Sequence, residues 1–334
     1  MKIQAVVATV AAVLCAGMPL PADTLGAAFS SEYTFSYFST LPLSRLGGVL
    51  IDPSNPNYLL IGASAASQSG AIYEVGLSRD PITHQITGLS GSPTFYASAP
   101  DIDGGLAFAP NGDLLFTQYP DNTIGELRPG STTPDIYASP LPAIQASVGG
   151  MTFIPAGFGG AGNAVFTSYN HGTVCESTPS LNAQSEYNFG VCGSVTIPGV
   201  LEQILYVPVG TTGFASNSVL VATTTGQNIL VQAYQVDAAG LPIAATATTF
   251  FTGSLNEGIA FDSVSGDFVL TSYNQGSTTA DIYVISPIQA TAPEPGSLLL
   301  CGLATAVLLL TRLRLFRQII ERGIHAALLV RYTE

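Results

Sequence analysis

A short apolar segment, headed by glycine in four of its copies, recurs five times along this chain, and that recurrence limits the fold more than any other feature. The segments begin at residues 47, 104, 149, 202 and 257, so they return every 45 to 57 residues. The clearest copies are Gly47-Gly48-Val49-Leu50-Ile51-Asp52-Pro53, Gly104-Gly105-Leu106-Ala107-Phe108-Ala109-Pro110 and Gly149-Gly150-Met151-Thr152-Phe153-Ile154-Pro155. Self-similarity at such a period marks a repeat architecture and outranks local propensity. Each copy is an apolar strand closed by a turn, and each is followed by further strand patterns. Second strands are expected at 113–117, 164–167, 218–222 and 267–271. Third strands are expected at 70–75, 123–127, 229–236 and 281–285. Fourth strands are expected at 94–97, 135–138, 187–189 and 249–252. Asn111-Gly112 and Ser265-Gly266 supply hairpin turns, since glycine accepts positive φ.

Four strands in about 50 residues make one propeller blade. The expected fold is therefore all-β, a β-propeller of five blades, with room for a sixth in the interval from 48 to 105. The last repeat has no fourth strand of its own. The Tyr33–Phe38 pattern ahead of the first repeat can supply it and close the ring, leaving no long open edge. The run from Gly104 to Leu127 and the segment Glu257-Gly258-Ile259-Ala260-Phe261-Asp262 resemble NHL-type and gluconolactonase-like propeller repeats in style.

The two ends read as targeting segments. Residues 1–28 fit a secretory signal: Lys2 is the positive start, Ala5–Ala16 the apolar stretch, and Ala22 and Ala28 are the candidate cleavage points. Residues 29–288 form the expected ectodomain, 289–317 a sorting signal with a single transmembrane helix, and 318–334 a short cytoplasmic tail. Ser297–Thr311 is a run of 15 uncharged residues, about 22 Å as helix against a hydrocarbon core of about 30 Å. Leu313, Leu315 and Phe316 extend it. Arg312, Arg314 and Arg317 follow and set that end on the cytoplasmic side.

Pro293-Glu294-Pro295 stands directly before the run. Tripeptide, short apolar span and Arg cluster together resemble the PEP-CTERM sorting signal. That resemblance implies recognition of Pro293, Glu294 and Pro295 by an exosortase in the inner membrane. It also implies release to the cell surface or extracellular matrix of a bacterium that makes exopolysaccharide.

Charge narrows the partners. Nine Lys+Arg face 22 Asp+Glu, for a net charge of −13. Between residues 29 and 292 the cations are Arg45, Arg79 and Arg128 alone, against 18 acids. Such a body lacks the cationic footprint of a nucleic-acid binder and is not drawn by charge to anionic polysaccharide. Neutral sugars, or acidic ones bridged by a divalent cation, remain open.

Chemistry-bearing motifs are sparse. The three histidines, His84, His171 and His325, have no metal-ligand spacing. No Gly-x-Ser-x-Gly elbow or phosphate loop occurs. Asp101-Ile102-Asp103-Gly104 opens like a calcium loop, yet its twelfth position is Gly112 where a bidentate Glu is needed. Cys175 and Cys192 lie within one repeat and are expected to form a disulfide in an oxidising compartment.

Propeller connectivity places two sets of loops around one mouth of the central channel. Asp103, Glu202, Asn256 and Glu257 precede or open inner strands. Tyr119, Tyr169, Asn170, His171, Tyr273 and Asn274 follow second strands. This face could hold a ligand or a Ca2+ ion, with Glu257 matching the metal-binding Glu that the gluconolactonase likeness implies; no other cofactor is called for. The reading that ranks first is a non-catalytic binding or scaffold propeller at the cell surface, associated with exopolysaccharide. A metal-dependent lactonase-like hydrolase using the channel is the alternative, and a surface protein-interaction module the third.

Overall fold

In a computed structural model the described residues are 23–138, 148–225, 228–253, 258–273, 277–289, 307–314 and 317. The chain divides into two compact units, Met1–Ile288 and Gln289–Glu334.

The first unit opens with β1 (Thr24–Leu25) and β2 (Tyr33–Leu41). Blade 1 is β3 (Val49–Ile51), β4 (Tyr58–Ala63), β5 (Ala71–Arg79) and β6 (Ile86–Ser98). Blade 2 is β7 (Ile102–Phe108), β8 (Leu114–Gln118), β9 (Thr123–Leu127) and β10 (Ile136–Ala138). Blade 3 holds β11 (Val148–Phe153), β12 (Ala164–Ser168), β13 (Thr173–Ser177), β14 (Pro179–Leu181), β15 (Tyr187–Phe189) and β16 (Gly193–Thr196). Blade 4 is β17 (Val200–Val207), β18 (Ser218–Thr225), β19 (Asn228–Gln235) and β20 (Thr248–Gly253). Blade 5 is β21 (Gly258–Phe261), β22 (Phe268–Tyr273) and β23 (Ala280–Pro287). All ladders between these strands are antiparallel. The architecture is an all-β propeller of five blades.

The second strands show why the pattern folds this way. β8 (Leu-Leu-Phe-Thr-Gln) and β12 (Ala-Val-Phe-Thr-Ser) are buried at every position. A strand covered on both faces by neighbouring blades reads as an apolar run, not as an alternation. Outer strands such as β2 expose every second or third side chain. Gly112 and Gly266 take φ of 93° and 79° at the hairpin turns.

The ring closes as expected. β2 pairs with β23 from Tyr33 opposite Pro287 to Leu41 opposite Ala280, so the closing strand runs past Phe38. The seam between blades 4 and 5 is aromatic. Phe250 meets Phe29 at 5.0 Å and Phe268 at 4.9 Å in edge-on contacts, and Tyr33 lies 5.8 Å from Phe268. β1 adds a fifth strand to blade 4, with Leu25 opposite Phe251, and Gly26 N–H donates to the Phe250 carbonyl. Residues 23–28, placed on the leader side by the sequence reading, therefore belong to the fold.

The count of five blades stands, and one expectation is corrected. The interval from 48 to 105 holds a single blade, its length going into the 9-residue β5 and the 13-residue β6. In blade 3 the outer strand is β16, which pairs with β13. Tyr187–Phe189, expected there, pairs instead with β14 in a separate hairpin. The hairpin has its own burial. Tyr187 is buried, its ring lies 5.8 Å from Phe153, and the Phe189 ring lies 5.1 Å from Phe166. The Cys175–Cys192 disulfide is formed, across a Cα–Cα distance of 5.4 Å, and fixes the point where the hairpin returns to the sheet.

In the second unit residues 307–314 are helical, and Thr311 Oγ1 donates to the Val307 carbonyl at 3.0 Å. Arg312, Arg314 and Arg317 are exposed. Among the described residues no helix is long and apolar enough to cross a membrane. Residues 1–22, Pro293, Glu294 and Pro295, and 318–334 lie outside the described residues.

Candidate functional site

Glycine at the head of the inner strands lets the blades approach one another across the propeller axis. A Cβ on Gly104 would stand 3.1 Å from the Gly149 carbonyl oxygen and 3.4 Å from that of Glu202. On Gly150 it would stand 2.7 Å from both Gln203 Cα and Glu202 O, and on Gly258 only 2.4 Å from Val49 Cγ1. Blades 2 and 4 are not neighbours in the ring, so the contact of Gly104 with Glu202 crosses the axis. At this level main chain of blades 2 and 4 comes together across the axis.

Close approach disturbs the ladders, and hydroxyls repair them. β7, β11 and β17 each slip register near their start, between Ile102 and Leu106, Val148 and Met151, and Leu201 and Ile204. A bulge leaves backbone groups unpaired. Thr117 Oγ1 accepts from Gly105 N–H at 2.8 Å and donates to the Gly149 carbonyl at 2.9 Å. Thr167 Oγ1 accepts from Gly150 N–H at 2.6 Å and donates to the Glu202 carbonyl at 3.1 Å. Thr271 Oγ1 accepts from Gly258 N–H at 3.0 Å. Blade 4 has Gln203 in the glycine's place and Ala222 in the threonine's. The buried Gln203 amide donates to the Val49 carbonyl at 3.1 Å and accepts from Ile259 N–H at 2.6 Å, tying blade 4 to blades 1 and 5.

Above this floor two of the expected residues come together. Asp103 lies in β7 and Glu202 in β17, both half-buried. Burial, and then the Asp103 carboxylate, push the Glu202 carboxyl up to about 8. Glu202 therefore carries a proton at neutral pH beside Asp103. A carboxyl pair of this kind can move a proton or take up a cation. Tyr169 is half-buried and Asn170 exposed in the turn after β12. His171 is exposed in the same turn, and Tyr119 follows β8 and is exposed. Tyr273 ends β22, paired with Ala280. Asn256, Glu257 and Asn274 lie outside the described residues. Among the described residues no group of three His, Cys, Asp or Glu could hold a metal ion.

A second carboxyl pair escaped the sequence reading. Glu126 in β9 is fully buried between blade 2 and the β14–β15 hairpin. Its Oε2 accepts from Tyr187 N–H at 3.2 Å, and Oε1 has no hydrogen-bond partner. Burial first, and then the neighbouring Asp113, push its carboxyl up to about 7 against the pull of the Tyr187 N–H. Glu74, Glu126 and Glu176 stand at the same place in three successive third strands, opposite Leu60, Leu115 and Val165. That recurrence was the available signal.

No family model matches the chain, and no curated protein matches it. Solved structures do resemble it. Glutaminyl cyclase of Myxococcus xanthus superposes with a TM-score of 0.44 at 10% identity, over 77% of this chain and 98% of that one. A protein assigned as a gluconolactonase gives 0.39 at 13% identity, over 76% and 92%. An auxiliary nutrient binding protein of Bacteroides thetaiotaomicron gives 0.36 at 12% identity, over 74% and 70%. Enzymes and binding proteins thus stand side by side among these neighbours. The chain is an all-β five-bladed β-propeller, a fold that serves both.

Proposed function

We propose that this chain is an exported, non-catalytic propeller of the cell surface or extracellular matrix, sorted by an exosortase-type system and associated there with exopolysaccharide. The observation that carries this reading is the order Pro293-Glu294-Pro295, uncharged run, Arg312-Arg314-Arg317 in a chain whose body is otherwise almost free of cations. The Cys175–Cys192 disulfide supports it, since such bonds persist in oxidising compartments. Cleavage of the leader after Ala22 would keep β1 and the Gly26 turn, whereas cleavage after Ala28 would remove both.

Replacing Pro293, Glu294 and Pro295 by alanine in an exosortase-bearing host tests the sorting step. The body is expected to stay in the envelope fraction. Unchanged release into the medium would overturn the reading.

One observation favours a second reading, a metal-dependent lactonase-like hydrolase: the Glu202 carboxyl, raised by burial and then by the charge of Asp103. That reading requires Ca2+ to raise the melting temperature, and Glu202→Gln to abolish the rise. Lactone hydrolysis that vanishes in Glu202→Gln would replace the binding reading with this one.

A further inference from the structure

A groove of about 430 Å³ opens on the face opposite the mouth, at the seam between blades 1 and 2. Its size is that of a small-molecule site. Four separate segments build it: the turn after β3, the β7–β8 turn, the β9–β10 loop, and Tyr96 of β6. Leu114 and Leu127 form a buried floor. Tyr96 and Phe108 are half-buried walls, and Ser54, Arg128 and Ser131 stand on the rim.

The walls are fixed before any ligand arrives. Arg128 N–H donates to Asp135 Oδ2 at 2.9 Å, and Ser98 N–H holds the same loop through the Thr132 carbonyl at 2.9 Å. The Arg128 guanidinium donates to the Gln184 carbonyl at 2.8 Å. Pro53, Pro110 and Pro129 lock φ in the three turns that line the groove. A preformed groove loses little ordering entropy on binding.

Charge selects the occupant. The one charged side chain lining the groove is Arg128, which repels a cation. The carboxylates around it are already engaged. Asp52 accepts from Ser54 N–H and Oγ, Asp113 from Asn111, and Asp135 from Arg128 N–H. A polyanion would meet one guanidinium backed by these acids, in a body carrying 18 acids and three arginines between residues 29 and 292. What fits is neutral, with apolar C–H faces for the two rings and hydroxyls for the serines and the guanidinium.

We propose that the blade 1–blade 2 groove binds neutral hexose residues of a polysaccharide, stacked between Tyr96 and Phe108 and hydrogen-bonded by Arg128, Ser54 and Ser131. The proposal deepens the surface-glycan reading above and rests on it.

The test is calorimetric titration of the intact, disulfide-bonded body with maltohexaose, cellohexaose and mannohexaose, and with oligogalacturonate as the anionic arm. Saturable binding of at least one neutral hexasaccharide is expected. Tyr96→Leu and Phe108→Leu keep an apolar side chain in place and are expected to weaken it tenfold or more, at unchanged melting temperature, while Glu202→Gln leaves it intact. Three results overturn the proposal: no neutral hexasaccharide binds; oligogalacturonate alone binds; or binding survives both Leu variants and disappears in Glu202→Gln, which would move the ligand to the mouth. The last result spares the surface-glycan reading, and failure of sorting in the Pro-Glu-Pro variant leaves the groove result standing, so the two fail separately.

Discussion

Single residues at the axis decide whether the blades can meet. Gly150 faces the main chain of Glu202, Gln203 and Ile204, so Gly150→Ala forces backbone apart and is expected to destabilise by about 1–3 kcal/mol. Thr167→Val keeps the shape but strips Gly150 N–H of its acceptor, with an expected loss of about 1–3 kcal/mol. Urea unfolding checks both, and equal stability of Thr167→Val would refute the role given to the hydroxyl. Glu126 and Glu202 make stability depend on pH in an unusual direction. Each carboxyl titrates near 4.5 in the unfolded chain and is raised in the fold, to about 7 and about 8. The folded state then holds protons that the unfolded state has lost. The stability this confers is complete below pH 4.5 and lost as pH rises through 7 to 8. The melting temperature is therefore expected to fall from pH 5 to pH 8, and Glu126→Gln to flatten the lower part of that fall. A melting temperature that rises over the same range would contradict the burial of these groups. The axis threonines were legible in principle, because Leu-Phe-Thr, Val-Phe-Thr and Val-Leu-Thr end the same second strands. Their partners were not, since a hydroxyl's acceptor lies in another blade.

At the scale of elements, strands announced themselves by apolar runs between turns, and nearly all of them stand where those runs lie. The exception shows the limit of pattern. Tyr187–Phe189 alternates like an outer strand, and a hairpin packed on Phe153 and Phe166 of blade 3 satisfies the same alternation. Only the pairing of β13 with β16, set by the Cys175–Cys192 bridge, separates the two arrangements. Reducing that bridge, which spans 17 positions, is expected to lower stability by about 2–4 kcal/mol. Urea unfolding with and without reductant measures it; no change would mean that hairpin and sheet hold without the bond. At the blade 4–blade 5 seam, Phe250 contacts Phe29, Tyr33, Phe214 and Phe268. Phe250→Ala is expected to cost about 3–5 kcal/mol and to open the ring where its last blade closes.

For the whole molecule, recurrence of the glycine-led strand carried the fold, because a blade cannot bury its faces without neighbours on both sides. Connectivity pointed to Asp103 and Glu202 on one face, and the charge of Asp103 does act on the Glu202 carboxyl. The groove between blades 1 and 2 was not, since four segments distant in sequence build it and none carries a motif. The proposed function rests on the ends of the chain more than on its body. The most direct measurement is the intact mass of the protein recovered from the envelope and the medium of an exosortase-bearing host. The account predicts a released body that starts at Asp23 and ends near Pro293. A recovered chain that still carries Leu298 to Glu334 would contradict it.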